Sequence, residues 1–240
     1  MFITDQHIDV DRDTDADLAQ RFRDFVKHPT FPCVGAKAAL SRGTMTIMTA
    51  RDIRSGWDDM AIYPALSSLA DRYRADPQLF QTLVVLFAQS GDMDEPEYEG
   101  HLWNRIQSLS DKDVWLGQKP DPRVSENPDD PHFSLSFAGE AFFVVGIHPQ
   151  ASRPARRFEV PAMVFNLHDQ FEQLREQGRY EKLRDSILDR DVALAGSLNP
   201  MLARHGSVSE ARQYSGRAVE DGWQCPFAGR RDFGAASDAA

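Results

Sequence analysis

The chain has 240 residues, enough for one sizeable hydrophobic core, and no linker divides it. Its composition, 41% hydrophobic and 27% charged residues, is that of a soluble globular protein, and no apolar run approaches the ~20 residues of a membrane span. The net charge of −10 argues against broad binding of nucleic acids or anionic membranes, and the acidic N-terminus lacks the basic and apolar regions of a secretory signal. We therefore expect a cytoplasmic protein.

The first half of the chain predicts helices alternating with strands. Apolar residues recur at helical spacing in three segments, and two short runs have the composition of strands. The predicted helices cover residues 14–28, 58–74 and 94–109, and the predicted strands cover residues 45–50 and 81–89. The Pro- and Asp-rich residues 119–131 predict a loop, which has the length of a lid but is equally typical of a plain connection.

The two cysteines, Cys33 and Cys225, have neither the spacing of a disulfide framework nor that of a zinc site. Cys33 precedes a run of small residues that predicts a short helix. A thiolate at this position could ligate the haem iron of a monooxygenase and promote O–O cleavage, whereas a buried, inert thiol is the alternative. Cys225 precedes a proline, and this dipeptide is also used at regulatory haem sites.

A hairpin is predicted at the centre of the chain. Residues 133–137 alternate between apolar side chains and serine, Ala138 and Gly139 can form a turn, and residues 141–147 are apolar on both faces. The second strand leads directly to His148, and Pro149 stops further pairing.

His148 is followed by three arginines in a protein that is acidic overall. A neutral imidazole beside clustered guanidinium groups suits a metal or an anionic cofactor, and haem combines both because it carries iron and two propionates. The alternative is a histidine at the edge of the core next to a solvated loop. The three arginines are Arg153, Arg156 and Arg157.

The segment after the hairpin predicts a short strand over residues 161–165 and two helices separated by Gly178. Asn166 is predicted to cap the first helix. His168 would lie in its first turn, where the helix dipole disfavours protonation and keeps the imidazole neutral. The second helix is expected to extend to about Ala195.

Together these elements predict an α+β fold, with a single domain over residues 1–240 and a central, largely antiparallel sheet packed by helices. Residues 1–13 and 230–240 are expected to be frayed or disordered.

Several long segments resemble the YqcI/YcgG family, and in particular its branch of haem-dependent N-hydroxylases that act on guanidino groups in guanitoxin biosynthesis. The matching segments are FPCVGAKAAL, GEAFFVVGIHPQASRPARRF, VFNLHDQFEQLREQGRYEKLRDSILDRD, GSLNPMLARHG, SEARQYSGR and CPF. The resemblance covers nearly the whole chain, from residue 31 to residue 227.

The resemblance implies a b-type haem whose iron uses dioxygen and an unidentified electron donor to place a hydroxyl group on a guanidine nitrogen of arginine or a related compound. His148 is our first candidate for the iron ligand, and the rivals are His168, Cys33 and His205. The oligomeric state stays open, with a homodimer among the options.

Other side chains are assigned roles in the same hypothesis. The three arginines would anchor the propionates, with Tyr214 as a further cofactor contact, and Phe142 would line a dry pocket. Glu140 and Glu210 are the candidate carboxylates for the guanidinium, although Glu140 is equally typical of an exposed turn. No catalytic base is assigned, because a guanidinium with a pKa above ~12 does not attack as a nucleophile.

Two other functions stay open. One is a haem-binding sensor or haem-handling protein without turnover. The other is a non-haem iron oxygenase that uses His148, His168 and a nearby carboxylate.

Overall fold

The computed structural model describes residues 9–201 and 206–230, with side chains from residue 14 onward. Within these residues it has seven α-helices, five strands and one 3-10 turn. The helices are α1 (Asp9–Lys27), α2 (Val34–Ser41), α3 (Asp59–Ala75), α4 (Glu95–Trp115), α5 (Asp169–Glu176), α6 (Tyr180–Ala195) and α7 (Ala211–Tyr214). The strands are β1 (Met45–Ala50), β2 (Thr82–Phe87), β3 (Leu135–Phe137), β4 (Glu140–Ile147) and β5 (Ala162–Leu167), and the 3-10 turn is Pro154–Arg156.

The five strands form one sheet in the order β1-β2-β5-β4-β3. β1 and β2 are parallel and connected through α3, while the pairs β2–β5, β5–β4 and β4–β3 are antiparallel. The predicted α+β fold with a single, largely antiparallel sheet is therefore confirmed. None of the described helices has the length and apolar character needed to cross a membrane.

Helices cover the two faces of the sheet and bury two apolar clusters. The first face packs against α3, α4 and residues 206–230, which we call the C-terminal segment. Large side chains such as Trp103, Phe142 and Phe165 fill this core. The second face packs against α1 and α2, through side chains such as Phe22 and Ile147. Every residue of β2 is buried, as expected for the strand with neighbours on both sides and helices on both faces.

The predicted hairpin is confirmed. Ala138 and Gly139 form its two-residue turn with φ angles of 50° and 80°, the left-handed values that such turns need. The Ala138 N–H donates a 2.7 Å hydrogen bond to a carboxylate oxygen of Asp113, which fixes the turn against the end of α4.

β3 is short and pairs only with the first three residues of β4, so the rest of that edge of β4 needs another cover. The C-terminal segment supplies it. The Arg156 guanidinium donates to the carbonyl oxygens of Gly146, Gln213 and Tyr214 at 3.1, 2.9 and 3.0 Å. Gly146 leaves the room for this contact, because a Cβ there would lie 2.7 Å from the Tyr98 hydroxyl and 2.9 Å from the Tyr214 carbonyl.

Several boundaries differ from the sequence prediction. α1 begins at Asp9, although residues 1–13 were expected to be frayed and the helix to start at residue 14. α4 continues to Trp115 instead of ending at Leu109. β5 continues to Leu167, because Asn166 still pairs with Thr82 and Phe143 on the neighbouring strands. Asn166 is therefore a strand residue and does not cap α5, where His168 occupies the capping position.

Candidate functional site

A cleft of about 280 Å³ opens where β5 ends and the loop before β3 crosses over the sheet. Its volume is close to the lower end of the range, roughly 300–1,000 Å³, that is typical of small-molecule sites. We call it the His168 cleft. It is lined by Arg123, Val124, His132, His168, Asp169 and Glu172.

His168 is the first residue after β5, and a backbone hydrogen bond holds it in place. The His168 N–H donates a 2.8 Å hydrogen bond to the Ala141 carbonyl on β4. The imidazole is buried, and its Nε2 lies 3.6 Å from Oε1 of Glu210, the residue just before α7. The structure thus brings together a predicted rival ligand and a predicted substrate carboxylate, which are far apart in the sequence.

Arg123 fastens the loop to the sheet at this cleft. Its guanidinium donates to carboxylate oxygens of Asp121, Glu140 and Asp169 at 2.6, 2.9 and 2.6 Å. Hydrogen bonds to Asp121 raise the pKa of Arg123. Burial favours the neutral form of Asp121 and Asp169, but the hydrogen bonds that they accept outweigh it and lower the pKa of both. Glu140 is buried and is paired with Arg123 and Arg74, so the structure does not show the exposed turn residue that was the alternative, and its role as a substrate carboxylate stays a prediction.

The cleft has an acidic environment. Among the described side chains at and beneath it, carboxylates outnumber guanidinium groups. The carboxylates are those of Asp121, Glu140, Asp169, Glu172 and Glu210, and the guanidinium groups are those of Arg74, Arg123 and Arg175. Such a field favours a cationic ligand over an anionic one.

His148 lies at the opposite end of the sheet. It follows the last residue of β4, whereas Glu140 is the first residue and the His168 N–H meets Ala141. At about 3.3 Å per residue, the length of β4 separates His148 from Glu140 and His168 by roughly 20 Å or more. The predicted ligand His148 and the predicted substrate carboxylate Glu140 therefore do not meet, and His148 and His168 cannot bind the same ion in this fold.

The His148 imidazole is 1% exposed and stacks on the Tyr98 ring at a centroid distance of 4.4 Å. Its Nδ1 has no hydrogen-bond partner among the described residues. Burial, assisted by the charge of Arg156, lowers the pKa of His148 to about 4, so the imidazole is neutral at neutral pH.

This depressed pKa predicts an acid-sensitive fold. The unfolded chain takes up the proton near pH 6.5 and the folded chain only near pH 4, so the contribution of His148 is complete above pH 6.5 and is lost as the pH falls toward 4. The free energy of unfolding should fall by about 3 kcal/mol more in the wild type than in His148→Leu over this interval. Urea titrations of both proteins at several pH values measure the difference, and the exposed His28→Leu should behave like the wild type. Parallel curves for wild type and His148→Leu would contradict the assignment.

The three arginines after His148 are used within the protein. Besides the carbonyl contacts of Arg156, Arg153 pairs with Asp191 on α6 and donates to the Ser197 carbonyl at 2.9 Å. Arg157 donates to the carbonyl of Ala151 at 3.0 Å and is exposed. Burial lowers the pKa of Arg156 to about 10. The contacts of the three arginines hold the segment between β4 and β5 in place, at the opposite end of the sheet from the His168 cleft.

Phe142 and Tyr214 lie in the core of the first face and do not line the cleft. The Tyr214 hydroxyl donates a 3.4 Å hydrogen bond to the Phe142 carbonyl, and its ring stacks on Trp103 at 5.7 Å. Burial raises the pKa of Tyr214, so the phenol stays protonated.

The two cysteines lie on opposite faces of the sheet. The Cys33 Sγ accepts a 3.4 Å hydrogen bond from the Ala36 N–H and so caps α2, and burial raises its pKa. Burial raises the pKa of Cys225 to about 12. Both thiols are protonated at neutral pH. The fourth candidate ligand, His205, lies outside the described residues, and within these residues no group of three His, Cys, Asp or Glu side chains is arranged to hold a metal ion.

Sequence reasoning assigned no role at a functional site to the four polar residues that line the cleft beside His168: Arg123, His132, Asp169 and Glu172. One sequence feature could have indicated Arg123: it is an arginine close to Asp and Glu residues in a loop rich in proline. The other three became recognisable only when the fold brought the loop and α5 together.

Comparison with known proteins identifies the family of the chain. The model of the YqcI/YcgG family matches residues 22–228, which include both ends of β4, the loop at the cleft and the C-terminal segment. The chain belongs to the YqcI/YcgG family. The protein named "Uncharacterized protein YqcI" of Bacillus subtilis (strain 168) is 26% identical over 211 residues, which cover 84% of this YqcI/YcgG chain and 82% of the relative. No solved structure matches.

Proposed function

We propose that this YqcI/YcgG protein is a haem-dependent monooxygenase that N-hydroxylates a small guanidino compound, arginine or a close relative, bound in the His168 cleft. One observation carries the proposal. His168 and Glu210 were assigned separately from the sequence, as ligand and as a carboxylate for the substrate, and they lie together at one cleft of small-molecule size. Glu140, the other predicted carboxylate, is paired with Arg123 and Arg74.

The reaction converts a guanidine N–H into N–O–H. One oxygen atom of dioxygen enters the product, and the other leaves as water with two electrons and two protons from an external donor. The haem, when bound, supplies the activation of dioxygen, while the protein supplies binding, orientation and electrostatics.

The carboxylates suit the cationic substrate. A guanidinium presents its N–H donors in a planar fork that carboxylates accept in pairs. Glu210 and Glu172 lie beside and on the wall of the cleft, and we assign them to hold the guanidinium. Arg123 keeps the loop attached at the cleft through Asp121, Glu140 and Asp169.

His168 suits the ligand role because its imidazole is buried and lines the cleft. The carboxylates around the cleft do not suit the two propionates of a haem, which would have to lie away from them. The cleft itself has the volume of an amino acid, and a haem is several times larger. A macrocycle held by His168 therefore needs apolar surface beside the cleft.

The test is a spectrum followed by product analysis. The protein is purified from haem-supplemented cells, and absorption is recorded in the oxidised, reduced and carbon monoxide-bound forms. A stoichiometric Soret band, together with a gain of one oxygen atom in arginine or another guanidine by mass spectrometry, would support the proposal.

Two other outcomes identify the alternative functions. A Soret band without any oxidised guanidine would overturn hydroxylation and favour a haem sensor or carrier. Oxidised guanidine from iron-loaded protein without a Soret band would favour a non-haem oxygenase.

A further inference from the structure

The loop before β3 is weakly packed between two fixed points. Asp121 and Phe133, at the two ends of this stretch, are 2% and 1% exposed. None of residues 122–132 between them is buried, and they contain no helix or strand. Outside the cleft, Glu126 pairs with Arg230 of the C-terminal segment at 3.4 Å. A segment with few buried contacts opens at a lower free energy than the core of the sheet. We call residues 122–132 the gate loop.

The gate loop forms one wall of the His168 cleft. Three of its residues line the cleft on one side, and three residues at the end of β5 and in α5 line it on the other. The first three are Arg123, Val124 and His132, and the second three are His168, Asp169 and Glu172. The width of the cleft therefore depends on how the loop is held against α5.

Arg123 joins the two walls. Its Nη1 donates a 2.6 Å hydrogen bond to Oδ1 of Asp169, the first residue of α5, and its Nη2 donates a 2.9 Å bond to Oε2 of Glu140. The other oxygen of Asp169 accepts from the Tyr73 hydroxyl at 2.6 Å and from the Gln173 amide at 2.9 Å. Asp169 is thus fixed against α3, and Arg123 is the partner that can move.

The guanidinium of Arg123 has further contacts that survive such a movement. Its Nε and Nη2 donate to the two carboxylate oxygens of Asp121 at 2.6 to 3.1 Å. Asp121 is held independently, because it accepts from the Ala141 N–H at 3.0 Å and its own N–H donates to the Ser136 hydroxyl at 3.1 Å. Arg123 can therefore leave Asp169 while it stays paired with Asp121, so that neither charge of this pair is left alone.

We infer that Arg123 is the latch of a gate at the His168 cleft. The gate loop closes the cleft while Arg123 binds Asp169 and Glu140, and it opens the cleft when these two contacts break. In the closed state His168 is only 7% exposed, so a compound reaches its imidazole through the open state. The gate controls access for whatever compound binds in the cleft, and it does not depend on the proposed reaction.

The experiment measures how fast diethyl pyrocarbonate modifies individual histidines, with mass spectrometry of the peptides as the readout. His168 reports on the cleft. His148, which is buried at the opposite end of the sheet, reports on global unfolding, and the exposed His28 reports on the activity of the reagent. Comparison of the three rates within one sample separates local opening of the cleft from loss of the whole fold.

Two variants release the latch and a third serves as the control. Arg123→Ala removes the moving partner, and Asp169→Asn weakens the fixed one. Arg21→Ala is matched to the first variant, because it removes a guanidinium that pairs with Glu159 at 2.7 Å away from the cleft.

We expect both latch variants to speed the modification of His168 by roughly tenfold or more, the change that follows from the loss of a charge-assisted hydrogen bond. His148 and His28 should react as in the wild type, and Arg21→Ala should match the wild type at all three histidines. If the latch variants fold and their His168 reacts at the wild-type rate, the gate is overturned.

The wild type alone provides a second test, which decides if the variants do not fold. Modification is repeated at urea concentrations below the unfolding transition. Local opening exposes little surface, so the rate at His168 should depend weakly on urea, whereas the rate at His148 should rise steeply. The same urea dependence at both histidines would show that His168 is reached only through global unfolding, and would overturn the gate.

The gate and the proposed function can fail separately. Faster modification of His168 in the latch variants, without any oxidation of guanidines by the wild type, would retain the gate and reject the hydroxylase. Oxidation of guanidines by a protein whose His168 is unaffected by the latch variants would retain the hydroxylase and reject the gate.

Discussion

Under the proposed function, replacing His168 by alanine should abolish both the ligand-dependent features of a haem spectrum and the hydroxylation of guanidines. Activity should fall by at least about 100-fold, because changes to groups that merely support a metal ligand already cost roughly 10- to 100-fold. The reason is positional: His168 is the histidine among the described ligand candidates that lines the cleft where Glu210 lies. The measurements are the reduced and carbon monoxide spectra, the haem stoichiometry and the rate of product formation.

His148→Ala is the informative comparison, because His148 was the first candidate from the sequence. We expect it to keep the haem spectrum and to lose stability through the space left under Tyr98. The exposed His28→Ala should resemble the wild type in both respects. Loss of the haem signal in His148→Ala with retention in His168→Ala would move the ligand to the other end of the sheet.

Asp113→Ala should cause the largest loss of stability, about 3–5 kcal/mol, because it removes one partner of a buried charged network. The Asp113 carboxylate is fully buried and accepts hydrogen bonds from the Tyr63 hydroxyl at 2.6 Å, the Ala138 N–H at 2.7 Å and the Arg230 guanidinium at 2.6 Å. It thereby joins α3, the β3–β4 turn and the C-terminal segment to α4. Without it, a buried guanidinium and a strained turn lose their common partner.

Chemical denaturation measures this effect. Asp113→Asn should cost less, because its amide oxygen can still accept from Tyr63 and Ala138 while the ion pair with Arg230 is lost. Asp185→Ala, at an exposed position on α6, should change the free energy of unfolding by no more than about 0.5 kcal/mol. Equal stability of Asp113→Ala and Asp185→Ala would show that the buried network contributes nothing.

The fold was largely predictable because its strongest sequence patterns are local. The alternation around Ala138-Gly139 predicted the hairpin, and the apolar run of β2 predicted a central strand. The cap of α5 was mispredicted because Asn166 has good local capping chemistry, but pairing with strands on both sides extends β5 past it. Tertiary pairing decided this boundary, and no local pattern reports it.

The sequence named some residues of the candidate site but not how they come together. His168, Glu140 and Glu210 were all among the candidates, but the sequence could not show which of them meet. That depends on the antiparallel register of β4 and β5, which puts His168 next to Ala141 and leaves His148 at the other end. Arg123 was missed because its role comes from carboxylates that lie close in space and not in sequence.

The C-terminal segment that covers the free edge of β4 affects how the protein folds during synthesis. Residues 209–217 supply Glu210 beside the cleft and, through Arg156, shield the backbone of β4 that β3 leaves unpaired. These residues are synthesised after every strand of the sheet. A nascent chain that has all five strands therefore still carries an unprotected edge, the kind of surface on which chains aggregate, and an incomplete binding site. Chaperone protection and the onset of ligand binding should both be timed by the emergence of this one segment from the ribosome.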